Sequence, residues 1–518
     1  MEKKHKKLPI RLFHKREIDT RETEGGGNNL DPKWVLSDEL LLEYSKEKLF
    51  EIDLIENEIE FDSYGRLDIP LTIGVEIIIE AIAKTHRDPI ENLFSSKFEK
   101  LSSVGFSPTN FLLFPVDKLE HIKNAKTIFE TPEKNSKAVS SIKSIEKYKP
   151  FIEKDLSIND EIKIKFIDYR NKEIQKKVET KFENFCRNKK INFQKCFYAP
   201  SLKIYKINKV TKDSLDQIVN LDGILSISSM PKYEITLEKE DFYETVPIKK
   251  PINGKRYPIV GILDSGIAKN KYLAPWIIDG YSPYDDAELD KSHGTFVAGV
   301  LIYGRDFLKC LDSLTNTCNI FDAAVISDDN LGIVDEYELL DNIREVIELK
   351  SNEIKIWSLS LGSNKEAHTE IFSDFAISLD YIQDKENVII VKSAGNCNNF
   401  ENNLPVSRIS ESSDSVRSIV VGSIAHYKNQ TDFAKINHHS PFSRVGPGPQ
   451  GIVKPDLVHY GGNSGLSNDG VRIDTGIPSF DIAGRIVKKI GTSFSTPQIS
   501  AILADLNENL KGNFMVCY

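Results

Sequence analysis

From residue 256 onward, short apolar runs rich in β-branched residues alternate with helical patterns. This arrangement predicts a parallel sheet covered by helices. The predicted strands are residues 257–263, 320–326, 354–361, 388–392 and 418–423. One predicted helix has a stripe of apolar residues between positions 339 and 347. Because functional residues of open parallel sheets gather at the carboxyl ends of the strands, we expect any site at that edge.

The pattern between residues 160 and 230 predicts a second, smaller domain. Ile162, Ile164 and Phe166 alternate with lysines, as in a half-buried strand. A helix with apolar residues spaced three and four apart follows at 174–185, and then come two strand-like runs, a short helix and a last strand. The order βαββαβ is that of a ferredoxin-like unit, which we place at residues 156–245.

The N-terminal part of the chain carries no recognisable chemical motif. Residues 1–32 include three consecutive glycines and predict a flexible tail. Residues 33–155 contain amphipathic pieces such as 40–55 and predict an α-rich region of unknown role. The most apolar stretch, residues 67–83, is interrupted by charged residues and a proline, so it falls short of a membrane-spanning helix.

The amino-acid composition disfavours some classes of function. The chain has 518 residues, of which 40% are hydrophobic and 28% are charged, as in ordinary globular proteins. Its 77 acidic residues outnumber its 68 basic residues, and the formal net charge of −9 disfavours general nucleic-acid binding. The six cysteines form no CxxC pair, and no apolar signal segment is visible near the start. We therefore expect a cytoplasmic protein without a nucleic-acid or membrane partner.

Two segments of the larger domain present residues suited to proton transfer. Asp264 follows the strand predicted at 257–263, although a strand that ends in Asp and Gly also occurs in phosphate-binding and phosphoaspartyl folds. His293 lies among small residues at a predicted helix start, where it would face a cleft. A single histidine in such a place is more often a core or capping residue.

Two further segments present a hydroxyl and an amide. Ser493 lies in a glycine-led turn before a helix, with Pro497 expected in the first helical turn. The positive end of the helix dipole would favour negative charge beside that hydroxyl, although a plain Ser/Thr cap is the alternative. Asn396 follows the strand predicted at 388–392. Its amide can donate to an oxyanion, unless it is only a turn residue.

The four segments occur in the order Asp, His, Asn, Ser on an α/β pattern, and in this the sequence resembles the subtilases, the subtilisin-like serine peptidases. The resemblance covers about residues 257–510. It implies a triad of Asp264, His293 and Ser493, with Asn396 as oxyanion-hole donor. It also implies a strand that pairs with substrate backbone (Ser360, Leu361, Gly362) and a wall of the pocket for the residue before the cut (Ser393, Ala394, Gly395).

This resemblance implies a serine endopeptidase with a protein or peptide substrate and no cofactor. Asp285, Asp286 and Asp290 cluster in sequence, but we interpret them as a solvated acidic face rather than a metal site. A nucleotide-binding α/β protein is disfavoured because the chain lacks the GxxxxGK loop. We thus predict an α/β, subtilisin-like catalytic domain at residues 250–518.

The segment at 156–245 resembles, in position and element order, the propeptide of many subtilases, and we expect it to cover or gate the cleft. An independent docking domain is the alternative. Cytoplasmic subtilases encoded beside AAA-type ATPases and associated with phage defence are similar, which makes an AAA-type ATPase a candidate partner. A second hypothesis is a catalytically silent or gated subtilase that acts as a binding module in a multi-protein assembly.

Overall fold

The computed structural model describes most of the chain. The described residues are 32–59, 61–78, 84–95, 99–109, 111–157, 161–208, 210–233, 240–241, 246–308, 317–328, 334–363 and 365–509. All but the last residue of the predicted tail at 1–32 lies outside them. The chain divides into two compact units. The first comprises Met1–Arg66, Ile73–Ser103 and Lys118–Glu146, and the second Leu67–Thr72, Val104–Asp117 and Lys147–Tyr518.

The N-terminal region contains both helices and strands. In chain order these are α1 (Asp38–Asn57), β1 (Arg66–Ile77), α2 (Lys84–Phe94), β2 (Gly105–Phe106), β3 (Phe111–Lys118), α3 (Leu119–Glu130), α4 (Ser136–Ser140) and β4 (Ile142–Lys147). Residues 67–77 of the most apolar stretch lie in β1, whose residues 70–75 are buried, and residues 79–83 lie outside the described residues. None of the helices among the described residues has the length and apolar character needed to cross a bilayer.

The βαββαβ order predicted for the smaller domain is confirmed. Its elements are β5 (Phe151–Ile152), β6 (Ile162–Phe166), α5 (Lys172–Lys189), β7 (Asn192–Cys196), β8 (Lys203–Asn208), α6 (Lys212–Val219) and β9 (Ile224–Ser229). Asn171 caps α5, and Val178 and Phe182 bury one stripe of that helix against the sheet. The sheet order β5-β9-β6-β8-β7 is the ferredoxin-like order with one added strand, β5.

The remainder of the second unit is built around a parallel sheet. Its elements are β10 (Lys232–Tyr233), β11 (Glu240–Asp241), β12 (Ile259–Asp264), β13 (Ile277–Tyr281), α7 (Ser292–Leu308), β14 (Asn319–Ala324), β15 (Val334–Asp335), α8 (Glu336–Lys350), β16 (Ile356–Leu359), α9 (Asp374–Glu386), β17 (Ile389–Ser393), β18 (Ile419–Ile424), β19 (Leu457–Tyr460), β20 (Asn463–Leu466), β21 (Arg472–Thr475), β22 (Ile477–Phe480), β23 (Ile486–Lys489) and α10 (Thr492–Asn509). Seven strands pair in the order β13-β14-β12-β16-β17-β18-β19, and all these pairs are parallel. The predicted α/β fold class, with a mostly parallel sheet, is confirmed.

Helices cover both faces of this sheet. One apolar core joins strand residues such as Val260 to α7 and α10, and the other joins residues such as Leu263 to α8 and α9. The apolar stripe predicted between positions 339 and 347 is fully buried in α8. Successive side chains of a strand point to opposite faces, so each buried strand serves both cores.

The register of the central strands brings the candidate residues to one edge. Leu263 of β12 lies opposite Leu359 of β16, so Asp264 and Ser360 leave the sheet at the same level. Leu359 in turn lies opposite Lys392 of β17, which puts Ser393 beside them. The carboxyl ends of these three strands therefore form the edge at which a site was expected.

Candidate active site

Asp264 and His293 form a buried hydrogen-bonded pair. The imidazole Nδ1 lies 2.7 Å from Oδ1 and 2.9 Å from Oδ2 of the carboxylate. Asp264 is the last residue of β12, and His293 is the second residue of α7. A side chain at Gly294 would come within 2.3 Å of the carbonyl oxygen of Gly266, so glycine allows this close approach. Bonding through Nδ1 leaves Nε2 as the nitrogen that can serve as a base.

Ser493 lies at the start of α10 and exchanges two hydrogen bonds with Ser360. Its hydroxyl donates to the Ser360 carbonyl oxygen at 2.9 Å, and the Ser360 hydroxyl donates back to the Ser493 carbonyl oxygen at 3.0 Å. Pro497, four residues on, has no N–H to offer that carbonyl group. The expectation for Pro497 was wrong: α10 begins at Thr492, so the proline lies in the second turn.

The Asn396 amide is held by its oxygen. Oδ1 accepts hydrogen bonds from the backbone N–H of Thr492 at 3.0 Å and from its hydroxyl at 3.1 Å. The amide nitrogen lies near Gly491, 3.3 Å from the position of an added Cβ. With the oxygen engaged, Asn396 presents an N–H donor beside the N-terminus of α10, as an oxyanion site requires.

One cleft of about 790 Å³ joins three of the four candidate residues. His293, Asn396 and Ser493 line it, while Asp264 lies behind His293 and is 1% exposed. The ring centroid of Phe494, the residue after Ser493, is 5.9 Å from that of His293. The Ser493 hydroxyl bonds to Ser360 in this structure, so proton transfer to His293 requires that it turn toward the imidazole.

The residues expected to contact substrate are also at the cleft, with one exception. The lining residues are Ser360, Leu361, Gly362, Ser393 and Gly395. Ala394 is placed elsewhere: its side chain is buried beside Ile409 and Val420, and its carbonyl group bonds to Ser410. The strand alternation that turns its neighbours toward the cleft turns Ala394 away from it.

Two residues of the site were not assigned a role from the sequence. The Arg444 guanidinium donates from Nε to the Asn396 carbonyl oxygen at 2.8 Å and lines the cleft. Thr492 holds the Asn396 amide as described, and its hydroxyl also accepts from the Gly395 N–H at 3.2 Å. Arg444 lies in the segment between β18 and β19, for which no site residue was predicted. The residues next to Arg444 in the sequence do not indicate its role, because the residue that it contacts, Asn396, is 48 positions away in the chain.

The acidic side chains between residues 285 and 290 form hydrogen bonds and an ion pair with nearby residues of the same segment. Asp285 and Glu288 cap one short turn of 3₁₀ helix, and Asp290 accepts from the N–H of Ser292 at 2.9 Å. Asp286 pairs with Lys291. In the described part of the chain, no group of three or more His, Cys, Asp or Glu side chains is arranged to hold a metal ion.

Comparison with known proteins gives one family match. The model of the subtilase family matches residues 255–515, just over half of the 518 residues. A protein of Sinorhizobium fredii described as "uncharacterized protein y4bN" is 33% identical over 147 residues, which are 23% of this chain and 34% of that protein. The chain thus spans about a third of the length of this relative.

Two proteases of solved structure are similar to this chain over part of its length. The epidermin leader peptide processing serine protease of Staphylococcus aureus is 15% identical, with a TM-score of 0.42 and coverage of 68% of this chain and 89% of that one. A cold-adapted subtilisin-like serine proteinase is 17% identical, with a TM-score of 0.31 and coverage of 49% and 76%.

Proposed function

The chain belongs to the subtilase family, and from this premise we propose that it is a serine endopeptidase acting on protein or peptide substrates. The observation that carries the proposal is the buried Asp264–His293 pair at the edge of the cleft that also holds Ser493 and Asn396. No cofactor enters the mechanism.

Each residue type supplies one step of the proposed mechanism. A serine hydroxyl is a poor nucleophile at neutral pH, so His293 takes the Ser493 proton during attack and returns it to the leaving amine. Asp264 fixes the imidazole tautomer and stabilises its charged form. Asn396 and the Ser493 backbone N–H hold the oxyanion, and water then hydrolyses the acyl-enzyme on Ser493. A substrate strand beside Ser360, Leu361 and Gly362 would add main-chain hydrogen bonds at the sheet edge.

The test is cleavage of a denatured protein mixture by the full chain, followed by sequencing of new termini. We expect the wild type to generate new termini and the Ser493→Ala variant to generate none. Equal numbers of termini from both proteins would contradict the proposal, because cleavage would then not depend on the proposed nucleophile.

A gated or silent subtilase that acts as a binding module is the second candidate. The observation that favours it is the Ser493 hydroxyl, which donates to Ser360 rather than to His293. A wild type that folds and releases no new termini would support this candidate.

We further propose that the ferredoxin-like domain at 156–245 covers or gates the cleft of the peptidase domain. Lys163 of β6 pairs with Glu336 at 2.5 Å and with Asp374 at 3.0 Å, at the N-terminal ends of α8 and α9. Near the end of this segment, β11 pairs with β23, and Lys488 and Lys489 of β23 line the cleft. Mass spectrometry of the purified protein tests its fate: a cut between residues 238 and 250 indicates a processed propeptide, and an intact, active chain indicates a retained regulatory domain.

A cytoplasmic role and an AAA-type ATPase partner in phage defence complete the proposal. Four cysteines in the described part of the chain (Cys186, Cys196, Cys318, Cys397) are buried free thiols, which suits a reducing compartment. The partner and the defence role rest on the resemblance alone. Co-purification of the tagged protein from its own cells tests them: recovery of an AAA-type ATPase would support them, and recovery of the chain alone would count against them.

A further inference from the structure

A fully buried lysine lies directly behind the cleft. Lys392 is in β17 and is 0% exposed. Its ammonium group donates to the carbonyl oxygen of Leu361 and lies 3.5 Å from that of Ser393. Leu361 belongs to the segment proposed to pair with the substrate backbone, Ser393 belongs to the proposed wall of the pocket for the residue before the cut, and both line the cleft. With Gly362 they define what we call the specificity pocket.

Gly362 lies close to the ammonium group and also lines the cleft. A Cβ built on Gly362 would lie 4.0 Å from Nζ of Lys392 and 3.8 Å from the Ser410 hydroxyl oxygen. Since glycine has no side chain, no side-chain atom of residue 362 covers Nζ from the cleft.

Lys392 has no contacting counter-ion. Among the residues that the structure describes, no ion pair joins it to a carboxylate; Asp414 acts on it only through space and is itself bonded to the Ser373 N–H and hydroxyl at 2.7 and 2.6 Å. Burial lowers the pKa of Lys392 to about 7. A buried cation without an anion is unfavourable, so a carboxylate that enters the pocket would be stabilised by it.

The charges that line the cleft favour the same kind of ligand. Its lining side chains include four basic residues (Arg444, Arg472, Lys488, Lys489) and two acidic ones (Glu366, Asp474). Arg472 pairs with Asp474 and with Glu401, each at 3.0 Å. The balance of lining charges is opposite in sign to the net charge of −9 of the whole chain. The field in the cleft thus favours acidic segments of substrate.

We propose that the specificity pocket selects a substrate residue whose side chain ends in a carboxylate, and that Lys392 is the specificity-determining residue. The inference rests on the peptidase function proposed above and names its substrate class: polypeptides cleaved after Asp or Glu. Lys392 acts across the pocket wall on the substrate side chain and takes no part in proton transfer at Ser493.

The experiment compares peptide substrates that differ only in the residue before the cut: Glu, Asp, Gln, Leu or Phe. For the full-length wild type we expect kcat/KM for Glu or Asp to exceed that for Gln and Leu at least about tenfold, as a charge recognised in a buried site requires. In Lys392→Met this preference should fall at least about tenfold while cleavage after Leu persists. Lys454→Met is the matched control, because Lys454 is also buried but bonds to Ser418 and Asp456. This control should keep the acidic preference.

The outcomes separate this inference from the proposed function. A wild type that prefers Leu or Phe, or a Lys392→Met variant that keeps the acidic preference, overturns the inference and leaves the peptidase function intact. A wild type that cleaves no peptide and takes up no fluorophosphonate overturns the function itself. If Lys392→Met does not fold, Gly362→Ala is used in its place, because the added methyl group makes ordinary contacts and shields Nζ. The preference for Glu or Asp should then decrease. An unchanged preference in Gly362→Ala would also overturn the inference.

Discussion

At the scale of single residues, the Asn396 amide shows how the proposed oxyanion site is oriented. Thr492 engages Oδ1 through both its N–H and its hydroxyl, so the amide can face the cleft only with its nitrogen. Arg444 holds the carbonyl group of the same residue. These contacts fix Asn396 before substrate arrives, which is the condition for effective stabilisation of a developing charge.

We therefore expect Asn396→Ala to lower kcat by about 10²- to 10³-fold with little change in KM, since the lost bond forms only in the transition state. Thr492→Val is the matched comparison: it removes one of the two bonds to Oδ1 and should have a much smaller effect. Steady-state kinetics on one peptide substrate measure both. Near-normal turnover in Asn396→Ala would remove this residue from the mechanism.

A second residue-scale prediction concerns Glu411. One of its carboxylate oxygens is buried without a hydrogen-bond partner, and burial together with the carboxylate of Glu336 raises its pKa from 4.5 to about 7. The folded chain therefore keeps a proton at pH values where the unfolded chain has lost it, and stability falls as pH rises from about 4.5 to about 7.

Glu411→Gln should remove this pH dependence. Relative to the wild type, the variant should gain about 2 kcal/mol in free energy of unfolding between pH 5 and pH 8. Urea unfolding at the two pH values measures the difference. A gain that is the same at pH 5 and at pH 8 would show that Glu411 does not titrate in this range.

How much of the site could be predicted differs from residue to residue. Asp264, His293, Asn396 and Ser493 follow recognisable strand or helix signals, and the structure brings them to one edge of the sheet. Ala394 was expected in the pocket wall together with its neighbours, but its side chain is buried beside Ile409 and Val420. Which face the end of a strand presents to the cleft depends on tertiary packing, so the local sequence does not determine it. Lys392 could have been noticed, since a lysine inside an otherwise apolar strand is rare. Its partners are the backbone carbonyl groups of Leu361, just beyond β16, and of Ser393 in its own strand, and they leave no trace in the sequence.

At the scale of elements, the strands in the middle of the sheet were predictable and those at its edges were not. The five predicted strands correspond to β12, β14, β16, β17 and β18. β13 and β19 are short, lie at the two ends of the sheet and are largely exposed, so they lack a continuous apolar run. The α7 start was predictable because small residues allow it to approach the loop after β12, as Gly294 does.

The pairing of β6 with the ends of α8 and α9 leads to a prediction at this scale. Burial alone would raise the pKa of Asp374, but Lys163 and Lys165 hold it below its usual value. Removal of Lys163 leaves Glu336 buried without its cation. We expect Lys163→Met to lower the free energy of unfolding by about 3 kcal/mol.

Lys181→Met is the control for that substitution. Lys181 lies in the same domain and pairs with Asp222 at 2.8 Å, but both side chains are substantially exposed, so its loss should lower stability by less than about 1 kcal/mol. Urea unfolding of the full chain measures both variants. Equal losses would show that the buried ion pairs do not hold the ferredoxin-like domain in place.

At the scale of the whole molecule, the fold brings the residues of the proposed mechanism to one edge of the sheet. A parallel sheet of seven strands presents three strand ends and the starts of two helices at one edge, and each contributes a residue to the cleft or to the pair behind it. The ferredoxin-like domain adds contacts at the ends of two other helices of the same unit. The central claim is that residues 229 positions apart (493 − 264 = 229) act together as a triad.

The most direct measurement is the location of a covalent fluorophosphonate label by mass spectrometry of the digested, full-length protein. The account predicts label on Ser493 and none on Ser495, a buried neighbour whose hydroxyl donates to the Thr492 carbonyl oxygen. It also predicts that His293→Ala abolishes labelling while the variant still folds. Label at another residue, or undiminished labelling of Ser493 without His293, would contradict the claim.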